Sequence, residues 1–179
     1  MSGNKAKISV LTLILASMVI SGCSNAAVQA ETDSEPIQAL EEINTIYDAG
    51  TYLGALKDCF HAYAESSYTF TDKLEAYNFT GARKSLDDME ASLKKLGSIN
   101  APEKYSYYQK KLADSLDFEY NYINNCRKFL DICDKGDSVT EADKAELDRL
   151  NAELGNVPKE FTDAYVETVK AVNADIKQE

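Results

Sequence analysis

Apolar residues recur three or four positions apart through most of this chain, and that period constrains its fold more than any other feature. Leu86, Met89, Leu93 and Leu96 form one stripe; Tyr105, Tyr108, Leu112, Leu116, Ile123, Cys126, Leu130 and Cys133 form another. Such spacing places the residues on one face of a helix. Helix breakers are scarce, with 3 Pro and 8 Gly in 179 residues, so the helices should be long. No alternating pattern of strand length follows residue 22. The expected class is all-α.

The segments can be placed in order. Ser34 is a candidate N-cap with Pro36 just inside the first helix, whose stripe runs Ile43, Ile46, Gly50, Leu53, Leu56, Phe60, Ala64. Hydroxyl and β-branched residues from Ser66 to Thr71, then Asn78, Thr80 and Gly81, weaken the helical signal. The first reversal is therefore expected within 67–80, with one bent helix through Leu96 as the alternative. Lys94 and Lys95 suit a closing turn, Gly97 suits the C′ position, and Pro102 suits the first turn of a third helix. That helix should stop at Lys135-Gly136. Thr140 and Asp143 have the spacing of a capping box with Asp in place of Glu. The last stripe is Leu147, Leu150, Leu154, Val157, Phe161, Tyr165, Val169, Val172 and Ile176. It keeps its phase through Gly155-Asn156-Val157-Pro158, which favours one kinked helix over a new one capped by Asn156. The simplest arrangement is an antiparallel up-down-up-down four-helix bundle over 36–179.

The N-terminus has a different character. Lys5 and Lys7 precede an apolar run, Ile8 to Ile20, of 13 residues. A membrane span needs about 20, so residues 1–22 read as an export signal. The run closes on Ile20-Ser21-Gly22-Cys23, which resembles the lipobox of bacterial lipoproteins in all four places. The resemblance implies cleavage between Gly22 and Cys23, a diacylglycerol on the Cys23 thiol, and a chain held on the extracytoplasmic face of the cell membrane. Two or more acyl chains hold a protein stably where one does not. Residues 23–35, polar and small, read as a flexible tether.

Loss of the signal removes two lysines and no acid, taking the formal charge from −11 to −13. So acidic a domain is a poor partner for nucleic acid or anionic headgroups. Three cysteines remain besides Cys23, too few for a disulfide scaffold. Cys126 and Cys133 are about 10 Å apart along one helix face, beyond bridging reach. A Cys59–Cys126 disulfide requires the first and third helices to touch; buried reduced thiols are the alternative.

Candidate chemistry is sparse. His61, the only histidine, has Lys57, Asp58, Ala64 and Glu65 as helical neighbours, which supply no nucleophile. A haem held by His61 and Met89 is conceivable in a bundle, but no Cys-x-x-Cys-His motif accompanies it. The turn Asp134 to Thr140 fails as a calcium loop, since Ile132 would fall at the first ligand and Asp137 where Gly is needed. Tyr105, Tyr108 and Tyr165 fit core positions, whereas Tyr68, Tyr77, Tyr107 and Tyr120 fit an exposed rim that a partner could use.

Leu93-x-x-Leu96 followed by Ala101-Pro102-Glu103-Lys104-Tyr105, with Tyr108 and Leu112, is similar to a pattern in small helical surface lipoproteins of Gram-positive-type bacteria. That resemblance implies a helical cell-surface lipoprotein and carries no catalytic residue across. The expectation is a non-enzymatic interaction or envelope-associated module, without cofactor or metal, bound to the membrane through Cys23 and to an unidentified envelope or protein partner. The rival is a bundle binding a solute, metal or haem between its helices.

Overall fold

A computed structural model describes residues 48–155 and 159–177. Within them the chain is helical: α1 (Ala49–Glu75), α2 (Phe79–Gly97), α3 (Ser106–Cys133), α4 (Glu141–Leu154) and α5 (Glu160–Ile176), with 3₁₀ turns at Glu103–Tyr105 and Gly136–Ser138. The helices pack on one core, and α3 touches α2, α4 and α5.

Asp48 starts α1. Its backbone is extended (ψ 171°), and its side chain accepts the Thr51 N–H at 2.7 Å. The described part of the first helix thus begins at Ala49; the expected cap at Ser34 and Pro36, and the stripe residues Ile43 and Ile46, lie outside the described residues. The hydroxyl-rich stretch does not interrupt α1. Ser66, Thr69 and Thr71 donate to the carbonyls of Ala62, Glu65 and Ser67, one turn back, so their competition with the backbone is absorbed inside the helix. The reversal comes at Ala76-Tyr77-Asn78, within the expected window, and the bent-helix alternative is excluded. Tyr77 takes a left-handed φ of 55°, and Asn78 caps α2 by accepting the Gly81 N–H.

Two glycines play different parts. Gly97 is the last residue of α2 and not the expected left-handed C′ residue. A Cβ there would stand 2.9 Å from Leu116 Cδ1, so its smallness serves close packing of α2 on α3. Gly136 does take the left-handed conformation, φ 52°, and opens the 3₁₀ turn that follows the end of α3 at Cys133, two residues before the expected Lys135-Gly136 stop. Pro102 leads into the 3₁₀ turn, with α3 proper starting at Ser106. The capping box of α4 is present in both directions between Thr140 and Asp143.

The expected fourth helix is two. α4 ends at Leu154 and α5 begins at Glu160, a correction to the single kinked helix. Proline lacks an N–H donor, and inside a helix its ring clashes with the preceding turn. Continuity of the apolar phase did not outweigh that loss. Val157, Asn156 and Pro158 themselves lie outside the described residues.

The core holds Leu56, Phe70, Leu86, Met89, Leu93, Leu96, Leu112, Ile123, Leu130, Leu150, Phe161 and Val172. Outside it, Arg83 near the start of α2 bonds Asp131 and Asp134 at the end of α3, each at 2.6 Å, and Arg127 bonds Asp87 and Glu90. These bridges set α2 and α3 antiparallel. Tyr105 with Asp175, Thr168 with the Tyr108 carbonyl, and Lys111 with Glu167 set α3 and α5 antiparallel in the same way.

Candidate functional site

The most unusual chemistry lies where α1, α3 and α5 meet. Glu119 occupies a core position of α3, in line with Leu112, Leu116, Ile123 and Cys126, and is only 4% exposed. A carboxyl in that place needs a partner. Tyr63, from α1, donates its hydroxyl to Glu119 Oε2. One turn further along α3, Tyr122 and the Cys126 thiol are neighbours.

An aromatic cluster closes this seam. Phe60 stacks on Tyr165 of α5, ring centroids 3.9 Å apart at 8°. Phe161 meets Tyr63 edge-on at 5.4 Å and Phe60 at 5.8 Å. The rings exclude water from the carboxyl beneath and contribute through burial and edge contacts.

The electrostatics follow from that exclusion. Burial raises the Glu119 carboxyl above the usual glutamate range, and the Tyr63 hydroxyl pulls it part of the way back. Burial, then the Glu119 charge, raises Tyr63 far above an ordinary phenol. Burial raises Tyr122 likewise, and pushes the Cys126 thiol up to about 12. Three acids and a carboxyl share one dry seam, so each favours the others' neutral form. The thiol is accordingly a poor nucleophile.

A second interior polar set lies toward the start of α3. The Tyr52 hydroxyl donates to Gln109 Oε1 at 2.8 Å, and Gln109 Nε2 donates to the Leu96 carbonyl at 2.9 Å. Gln109 thereby adds a side-chain donor to a carbonyl at the end of α2 that the Ile99 N–H also reaches, at 3.5 Å.

The residues expected to matter fall elsewhere. Gly22 and Cys23 lie outside the described residues. Cys59, Cys126 and Cys133 are free in this structure, which contains no Cys59–Cys126 bond. Cys59 feels Lys95 of α2, while Cys126 faces Tyr63 and Tyr122. His61 stands out on the surface beside Glu65 at 3.3 Å, whereas Met89 is fully buried on α2; the His61–Met89 haem pair is not assembled. Among the described residues no group of His, Cys, Asp and Glu is placed to hold a metal, and no helix is long and apolar enough to cross a membrane. Tyr68, Tyr77 and Tyr107 are 54%, 70% and 67% exposed, as expected, and Phe118 joins them at the surface. Tyr105 is buried and stacks on Tyr52, while Tyr108, Tyr120 and Tyr165 are half-buried.

Glu119, Tyr63, Tyr122 and Gln109 were missed by sequence reasoning. A signal was present: Gln109 and Glu119 fill stripe positions where the period calls for apolar residues. No family model matches the chain, and no curated protein or solved structure matches it.

Proposed function

We propose that this chain is a lipid-anchored helical module on the outer face of a bacterial membrane, acting by contact with an envelope partner and not by catalysis. Its helices form an antiparallel up-down bundle whose last arm is broken in two. The observation that carries the contact role is the division of polar and aromatic groups. Interior polar side chains close on one another, Glu119 on Tyr63 and Gln109 on Tyr52, while Tyr68, Tyr77, Tyr107 and Phe118 stay on the surface. Exposed aromatics are the residues that anchor protein contacts.

The anchor rests on the lipobox of Ile20 to Cys23. Cys23→Ala should shift the protein from the membrane to the soluble fraction, and the native chain should carry the mass of a diacylglycerol on Cys23. A Cys23→Ala protein that stays membrane-bound overturns the anchor.

Solute binding is the second reading, favoured by the interior polar groups that converge from α1 and α3, Glu119 with Tyr63 and Gln109 with Tyr52. Native mass spectrometry of protein from its own membranes tests it. An adduct lost on denaturation favours a ligand; a mass equal to the lipidated chain favours the contact module.

A further inference from the structure

We propose that Glu119 is a proton-operated latch: protonated, it keeps the N-terminal half of α5 closed over α1 and α3; ionised, it releases that half and uncovers the aromatic surface of Phe60, Phe161 and Tyr165. The surroundings of the carboxyl support this from every side. From α1 it meets Tyr63, a hydroxyl donor. On α3 its neighbours are Tyr122 and the Cys126 thiol, both neutral acids. α5 covers the seam with the rings of Phe161 and Tyr165. The charges of α2 nearest this level, Glu90 and Lys94, pair with each other and Arg127 on the outside. Those of α4, Glu146, Arg149 and Glu153, also pair among themselves. At the start of α5, Lys159, Glu160 and Asp163 are exposed; among the described residues the Glu119 carboxyl feels its burial and the Tyr63 hydroxyl, and no cation.

Relief is easiest through α5. Its N-terminus has no side-chain cap, and Phe161 lies one residue inside that end. An uncapped first turn frays at low cost. Opening there admits water to Glu119 while leaving the α1–α2 hairpin and the Arg83 and Arg127 bridges intact. The proton released on ionisation passes to solvent. The surface uncovered holds the rings of Phe60, Phe161 and Tyr165, a face that a rise in pH presents. This goes beyond the contact role proposed above and does not depend on the lipid at Cys23.

Amide hydrogen exchange of the full mature chain across a pH series, corrected for intrinsic exchange chemistry, tests the latch on peptides covering 160–170. Between the ordinary glutamate pKa and that of folded Glu119, opening should grow about tenfold per pH unit, because one proton is released. Peptides from α2 should not follow. Glu119→Gln keeps an acceptor for Tyr63 and should flatten the profile. Tyr63→Phe removes the hydrogen bond that stabilises the carboxylate, so the end of the rise should move to higher pH. A flat profile in the native chain overturns the latch, as does a slope that survives in Glu119→Gln. If the Gln variant does not fold, the Tyr63→Phe profile decides alone: an unmoved curve overturns the proposal.

Discussion

The ring of Tyr52 lies on that of Tyr105, centroids 5.7 Å apart and 12° from parallel. The contact ties the first turn of α1 to the lead-in of α3, and the Tyr52 hydroxyl continues it to Gln109. Tyr52→Phe keeps the stacked ring but strips Gln109 Oε1 of its donor. A buried acceptor left unpaired costs about 1–3 kcal/mol. The urea midpoint should fall with the m-value unchanged; an unaltered midpoint would show that Gln109 finds another donor.

Glu119 fixes the direction of one pH dependence. Its folded pKa is raised, so the folded state holds the proton more tightly than the unfolded state. Its stabilising contribution is full below the unfolded glutamate pKa and is lost as pH rises through the folded value. Glu119→Gln should therefore gain stability relative to the native chain at pH 8 and show little gain at pH 4. Equal differences at the two pH values contradict this.

Asp143 gives the opposite sign. Lys135 and then Thr140 hold its carboxyl down at about 2, against 3.8 in the reference state. Its contribution is present above the higher value and lost as pH falls through the lower one. Acid should loosen α4 first between about pH 4 and 2, read as exchange of the amides of 141–147. Thr140→Ala removes the other half of the capping box and should cost about 1 kcal/mol at neutral pH.

Gly136→Ala places a Cβ at φ 52°. Space is open there, so the cost is backbone strain alone, about 1 kcal/mol. Gly136→Asn should recover part of it, because Asn tolerates the left-handed region better. Calorimetric midpoints of the two variants check the order.

Arg83 bridges two carboxylates from a partly exposed position, 34% by side chain. Arg83→Met keeps most of the stem packing and should cost no more than about 1 kcal/mol, shrinking in 1 M salt. A larger, salt-independent loss would mean that the stem and not the charge joins α2 to α3.

Much of this molecule was readable from its sequence. The 3–4 stripes gave the helices, the Thr140–Asp143 box marked one start, and Lys135-Gly136 marked a stop, because caps and periods are local properties. The split between α4 and α5 was misjudged because apolar phase and proline chemistry conflicted, and a stripe's phase carries no energy of its own. Gly97 looked like a cap because a C′ glycine and a glycine cleared for a neighbour's side chain are written alike. What the sequence alone determined is the all-helical character of the described residues and the order of their segments. Only the tertiary structure decided what the interior polar residues do. Glu119 and Tyr63 are 56 positions apart, and no local period relates them; their meeting exists only once α1, α3 and α5 exclude the water between them.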